Sequence, residues 1–255
     1  MTRDDVLALL DALERGEVRA AAKNEAGRWV PNLAVKEGIL AAFRLGIEAE
    51  SEAGVLSFRD RDTLPPRRPL PAGVRVVPGG TAIRRGAFVA KGVVVMPPAY
   101  INVGAYVDEG SMIDSHALVG SCAQVGKRVH LSAAAQVGGV LEPVGAVPVV
   151  IEDDVFVGGG VGIYEGVCVM RRAVLASGVV LTGSSVVYDL PNARELRSTK
   201  ESPLTIPEGA VLVPGARPAP GAWAKERGLS LSAPMIVKYR DEKTDAKTTL
   251  EGALR

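Results

Sequence analysis

The sequence predicts a parallel β-helix, and three observations carry that prediction. First, ten residues at a strict step of six are all branched aliphatics: Ile83, Val89, Val95, Ile101, Val107, Ile113, Val119, Val125, Leu131 and Val137. Ile, Leu and Val make up roughly a quarter of the chain, so chance gives such a run on the order of once in a million starts. Second, the residue four places later is nearly always small or β-branched, as in Ala87, Val93, Ala105, Ser111, Ala123 and Ala135. Third, a separate block repeats the rule at Ile151, Val157, Ile163, Val169, Leu175, Leu181 and Val187. Six matches neither the 3.6-residue helical period nor plain strand alternation. It is the period of a hexapeptide solenoid.

Each hexad is a short strand and a bend, and three hexads close one triangular coil of about 18 residues. The first residue of a hexad fills the axis, and the residue four later sits at a crowded inner bend. Nineteen hexads, counting Ile206 and Leu212, stack at about 4.8 Å into roughly six coils and a rod of about 30 Å.

Composition narrows the function. The 255 residues carry a net charge of +1, which gives no electrostatic reason for nucleic acid or an anionic membrane. Aromatics are 4% of the chain, too few for base-stacking platforms of the nucleic-acid-binding kind. No leader and no long apolar run is visible, so a soluble cytoplasmic protein without a membrane span is expected. The two cysteines, Cys122 and Cys168, are 46 residues apart, which is not a multiple of 18. They are expected to be reduced core or bend residues.

Residues 1–73 read as a helical region followed by a proline-rich linker. Thr2 is a candidate N-cap for a helix from Arg3 to Arg15, ended by Gly16. An extended piece falls at Trp29–Val30, and Asn32 caps a second helix with Val35, Ile39, Leu40 and Phe43 on one side. The polar stretch from Ser51 to Gly73 reads as linker or loop. Residues 74–217 read as the prism, with Val74–Val77 leading into it. Excursions are expected near 139–150, where the register slips by two, and near 188–205. Residues 218–255 read as a strand from Ser230 to Tyr239 and a charged tail. The open ends of the rod need covers, and the N-terminal helices and this C-terminal strand are the candidates.

Most prisms of this type are trimeric acyltransferases using a CoA or carrier thioester held between subunits. A second class is the prism carbonic anhydrase, which needs three histidine ligands. This chain has only His116 and His130, at unlike hexad positions, and no Cys/His spacing suggests a metal site. A purely structural prism is the third reading.

Three runs point further: Met96-Pro97-Pro98-Ala99-Tyr100-Ile101-Asn102-Val103-Gly104-Ala105-Tyr106-Val107-Asp108-Glu109-Gly110, then Gly120-Ser121-Cys122-Ala123-Gln124-Val125-Gly126-Lys127, then Gly138-Gly139-Val140-Leu141-Glu142-Pro143. They resemble the tetrahydrodipicolinate N-succinyltransferase family of lysine and diaminopimelate biosynthesis, and the resemblance extends over nearly the whole chain. It implies a mainly β, left-handed parallel β-helix with a small α-helical N-terminal region, working as a homotrimer with sites at subunit seams. It implies succinyl transfer from succinyl-CoA to ring-opened tetrahydrodipicolinate; no metal is expected, since no Cys/His spacing offers a site.

The resemblance also implies site residues. Asp114, in Met112-Ile113-Asp114-Ser115-His116-Ala117, takes the place of the family's substrate-contacting, catalytic aspartate. Arg75, before Val76-Val77-Pro78, takes the place of its substrate-contacting arginine. The chemistry is coherent: a guanidinium grips a carboxylate bidentately, and a carboxylate beside the attacking amine serves as general base. Read without the resemblance, Asp114 is a corner turn residue and Arg75 a surface ion pair.

Two departures stand out. Ser115-His116-Ala117 replaces the family's Thr-Trp-Ala. In Val161-Gly162-Ile163-Tyr164-Glu165-Gly166, Gly162 replaces an acidic residue and only Glu165 remains. Glu165 or His116 is then the stand-in for that acid, or each is structural, and His130 reads as structural. The departure leaves two acyl donors open, succinyl-CoA and acetyl-CoA. Lys127, Arg128, Lys225 and Lys238 are the candidates for the CoA phosphates, against the plain alternative of solvated charges. Gly158-Gly159-Gly160 lies in hexad register and reads as bend glycines.

Overall fold

A computed structural model of the chain describes residues 1–53, 56–200 and 202–241. The charged tail beyond Asp241 lies outside the described residues.

The hexads form the three sides of a prism. Face one carries Phe88–Val89, Tyr106–Val107, Gln124–Val125, Val150–Ile151, Cys168–Val169 and Thr205–Ile206. Face two begins at Arg75–Val76 and climbs through Val94–Val95, Met112–Ile113, His130–Leu131, Phe156–Val157 and Val174–Leu175 to Ala210–Val213. Face three runs from Ala82–Ile83 through Tyr100–Ile101, Leu118–Val119, Gln136–Val137 and Gly162–Ile163 to Val180–Leu181. All of these pairings are parallel, and Met112 sits between Val94 below and His130 above. The fold is a left-handed parallel β-helix of hexapeptide repeats.

The second residue of each strand points inward. Ile101, Val107, Ile113, Val119, Val125, Leu131 and Val137 have no exposed surface, and each such burial contributes about 1.5–3 kcal/mol. The small position four later is buried too, at Ala87, Ala105, Ser111 and Ala135. Between them the chain turns through positive φ three residues after the inward one. Gly86, Gly92, Gly104 and Gly110 take this position first. His116, Cys122, Arg128 and Ala134 then take it with φ of 63°, 66°, 54° and 59°. The cysteine at this bend, Cys122, and Cys168 on face one are both free and buried, and burial pushes each thiol up to about 12.

The N-terminal region packs on the prism. Helix α1 (Arg3–Glu14) opens on a capping box between Thr2 and Asp5, and α2 (Leu33–Leu45) is capped by Asn32. Their apolar faces meet Val103 and Cys122 in a second core with Val6, Leu10 and Ile39. The helices therefore cover the corner between faces three and one, along the side of the rod, and not its end. The hairpin Ala21–Lys23/Trp29–Pro31 is pinned to face one. Trp29 Nε1 donates to Glu152 at 2.9 Å, Lys23 Nζ lies 2.7 Å from the same carboxylate, and Arg19 stacks 3.6 Å over the Tyr106 ring.

The stretch from Ser51 is not simply linker. Glu48–Ala53 and Leu56–Arg61 form an antiparallel hairpin, whose exposed strands set Glu48 opposite Arg61 and Glu50 opposite Arg59. Cross-strand charge complementarity supports a hairpin that has no core of its own. Past it, Arg67 N donates to Ile83 O and Arg85 N to Pro65 O. The proline-rich stretch thus covers the lower edge of face three, where missing N–H groups do no harm. Arg75–Val76 is itself the first strand of face two and not a lead-in.

Two interruptions leave the coil. Between Gln136–Val137 and Val150–Ile151 the chain makes a loop, and α2 holds it. Lys36, with no exposed surface, donates from Nζ to Pro143 O at 3.0 Å and to Ala146 O at 2.7 Å. Burial pushes the Lys36 ammonium below the ordinary lysine value. The loop departs with its backbone against the coil: a Cβ on Gly139 would lie 2.4 Å from Ser121 N. The second excursion is a hairpin, Val187–Asp189 with Arg194–Leu196.

The expected strand 230–239 is two strands. Ser230–Ser232 pairs with Ala216–Pro218, and Met235–Tyr239 pairs antiparallel with Ala210–Val213 and parallel with Val187–Asp189. Ala233-Pro234 separates them, as the missing proline N–H requires. The second strand lies across the top of face two. Among the described residues no helix is long and apolar enough to cross a membrane.

Candidate active site

Asp114 follows the inward Ile113 and so stands where face two turns toward face three. Its Oδ1 accepts the Ser115 N–H at 2.7 Å. Its Oδ2 lies 4.0 Å from His130 Nε2, and its side chain is 29% exposed. The carboxylate is fixed by one backbone bond and backed by an imidazole, with an open side left for a ligand. His130 sits directly above Met112 in the ladder, is 12% exposed and packs edge-on against Phe156 with ring centroids 5.1 Å apart. The sequence reading gave His130 a structural part only. The 18-residue offset from Met112 was the signal that it neighbours Asp114.

Arg75 is exposed on the same face. Its strand neighbour is Val94, and Val94 neighbours Met112, so Arg75 lies two rungs below the Asp114 strand, about 9–10 Å down. A guanidinium and a carboxylate at that separation can hold the two ends of a short dianionic amino acid.

His116 is at the same corner. Its N–H donates to Pro98 O at 2.5 Å and its carbonyl accepts from Gln136 Nε2 at 3.1 Å. Those are backbone contacts of the turn position, and the imidazole faces outward.

Glu165 is elsewhere. It lies at the corner between faces three and one, with φ 53°, and its Oε2 accepts the Gly183 N–H at 3.0 Å. Within one chain it does not meet Asp114. The place of the missing acid is filled instead. A Cβ on Gly162 would lie 2.6 Å from Tyr164 Cε2, and one on Gly138 would lie 2.8 Å from Tyr164 Cδ1. The Tyr164 ring therefore lies flat across both glycines. Sequence reasoning missed this. The signal was an outward tyrosine two residues after Gly162 and one rung from Gly138, which follows Val137 in the ladder.

The candidate phosphate ligands divide. Lys127 and Arg128 are at the corner between faces one and two, a full face away from Asp114. Lys127 Nζ is 3.5 Å from Glu109, and Arg128 binds Asp154 through two nitrogens at 2.7 and 2.8 Å. Lys238, atop face two, pairs with Asp241 at 3.0 Å. Lys225 lies on α3 (Ala222–Glu226), in the hairpin that follows the last strand of face two.

The sequence model described as tetrahydrodipicolinate N-succinyltransferase N-terminal matches residues 1–45. The one described as hexapeptide repeat of succinyl-transferase matches residues 148–183. Curated relatives match along nearly the whole chain. The 2,3,4,5-tetrahydropyridine-2,6-dicarboxylate N-succinyltransferase of Rhodopseudomonas palustris is 43% identical over 99% of this chain and 90% of its own length. Its namesake in Azoarcus sp. is 44% identical over 99% and 89%, and that in Bradyrhizobium diazoefficiens is 42% identical over 99% and 90%. A solved Campylobacter jejuni chain assigned as a 2,3,4,5-tetrahydropyridine-2-carboxylate N-succinyltransferase aligns with 15% identity and a TM-score of 0.48 over 91% of this chain. This chain spans 63% of that one, and the likeness is too slight to bear on the site. By its full-length identity to the curated relatives, the chain belongs to the tetrahydrodipicolinate N-succinyltransferase family.

Proposed function

We propose that the chain transfers a succinyl group from succinyl-CoA to the amine of ring-opened tetrahydrodipicolinate, giving N-succinyl-2-amino-6-oxopimelate. The observation that carries this reading is 42–44% identity along 99% of the chain to relatives bearing that activity's name. The arrangement of Arg75 and Asp114 on one face supports it.

Water adds across the ring C=N bond of the acceptor, and the ring opens to a free amine. Arg75 grips one acceptor carboxylate through paired N–H groups. The amine attacks the thioester carbonyl, the C–N bond forms and the C–S bond breaks. Asp114 takes the proton the amine loses, and that proton leaves on the CoA thiol. A positioned carboxylate in this part contributes about 10²–10⁴-fold. His130, 4.0 Å behind Asp114, closes that side of the carboxylate. Neither Glu165 nor His116 is assigned a step within one chain. The reading includes a homotrimer in the cytoplasm, with the thioester held at the seams.

The test is a side-by-side assay of thiol release with succinyl-CoA and acetyl-CoA, with the product weighed by mass spectrometry. Faster turnover of succinyl-CoA and a succinylated amino acid are expected. Faster acetyl transfer, or no transfer from either donor, overturns the reading.

A further inference from the structure

Trp223 is the most conspicuous unassigned side chain. It stands on α3 with 63% of its surface exposed, and the Arg227 guanidinium lies 4.5 Å from its ring centroid. An indole so exposed and covered on one side by a cation offers its other side to a flat partner. Arg227 also pairs with Glu226 at 3.3 Å. Lys225, on the same short helix, makes no ion pair among the described residues.

The position of α3 gives the partner its identity. Leu212 pairs in register with Leu175, which continues through Val157 and Leu131 to Ile113. Val213 is therefore the top of the ladder whose lower member is Asp114. The chain leaves face two at that edge, where Pro214 Cγ lies 3.8 Å from the Cβ position of Gly178, and its next hairpin carries α3. Four rungs separate Val213 from Asp114, about 19 Å at the usual spacing. Extended CoA covers at least this distance from sulfur to adenine, so a donor with its thioester at Asp114 and its chain along the upper rungs reaches the level of Val213, where the hairpin carrying α3 begins. Arg75 lies on the other side of Asp114, so the acceptor occupies the lower rungs and the donor has the upper ones.

We infer that the indole of Trp223 is the stacking platform for the adenine of the CoA donor, with Lys225 and Arg227 beside its phosphates. The inference rests on the CoA-thioester reading above and adds the subsite that holds the nucleotide end.

The test separates the two. Trp223→Ala raises KM for succinyl-CoA about tenfold, the order of magnitude that aromatic stacking on one base supports, and leaves KM for the truncated donor succinyl-pantetheine within about twofold. Trp223→Phe retains most of the affinity. Adenosine 3′,5′-bisphosphate quenches the fluorescence of the wild-type chain, whose tryptophans are Trp29 and Trp223, and fails to quench Trp223→Phe. Equal loss with both donors, or a changed oligomeric mass for Trp223→Ala in light scattering, makes Trp223 a packing residue and overturns the inference. Undiminished quenching of Trp223→Phe overturns it as well. If the wild type consumes no CoA thioester, the proposed function fails, while the quenching titration still decides the adenine platform.

Discussion

Replacing Asp189 by Asn should cost about 3 kcal/mol at neutral pH and far less in acid. The Asp189 side chain has no exposed surface. It accepts from Arg194 Nε at 2.8 Å, from Tyr239 OH at 2.8 Å and from Asn192 Nδ2 at 2.9 Å. These contacts tie the hairpin Val187–Leu196 to the strand across the top of face two. Burial alone would raise the carboxyl, but the bonds from Asn192, Arg194 and Tyr239 outweigh it and hold Asp189 below the ordinary aspartate value. A hydrogen bond to a charged group contributes about 1.5–3 kcal/mol. Asparagine keeps one acceptor oxygen and turns an amide toward a donor, so one to two such bonds are lost. The Arg194 share is discounted because that side chain is 51% exposed. The sign follows from linkage. A folded value below the unfolded one gives stability that is present above the unfolded pKa, about 3.9, and lost as pH falls through the folded one. Urea unfolding of wild type and Asp189→Asn at fixed protein concentration, at pH 7 and pH 3, measures this. A deficit under about 0.5 kcal/mol at pH 7, or one unchanged at pH 3, refutes the reasoning.

Three further outcomes are expected. Arg75→Ala raises KM for the acceptor roughly 10- to 100-fold with little change in KM for the donor, and Arg75→Lys recovers only part, because an ammonium cannot make the paired contact; steady-state kinetics in each substrate checks both. Gly162→Ala forces the Tyr164 ring off its glycine floor, since the added Cβ meets Cε2 at 2.6 Å; it costs about 1–3 kcal/mol of stability, and Tyr164→Val in the same chain recovers most of it. Lys36→Met leaves two loop carbonyls without their donor, and amide exchange across residues 139–149 speeds up at least about tenfold while the coil amides keep their protection; uniform protection in both segments contradicts the clamp.

The rod was legible because its rule is repeated. One aliphatic per hexad and one small residue four later leave the inward residues of ten coil strands no other place. Family motifs single out Asp114 and Arg75 as candidates, and the 18-residue ladder puts them on one face and His130 behind Asp114. Elements stated once in the sequence were harder to see. The hairpin Glu48–Arg61 has no apolar alternation to announce it, only cross-strand charge. Lys36 looks like any solvent-facing lysine of a helix until the loop folds over it. Lys127 and Arg128 are phosphate candidates by their place at a coil bend, and their ion pairs are hidden in a sequence that lists only neighbours along the chain. Their partners Glu109 and Asp154 sit one coil away.

The most direct test of the account is the turnover of Asp114→Asn beside wild type, with succinyl-CoA and acceptor both saturating and the fold and oligomeric mass verified. The account predicts a kcat lower by about 10²-fold or more, with unfolding and CoA binding unchanged. A variant that is folded, binds CoA and retains near-normal kcat would contradict the central claim that this corner of the prism performs the proton transfer.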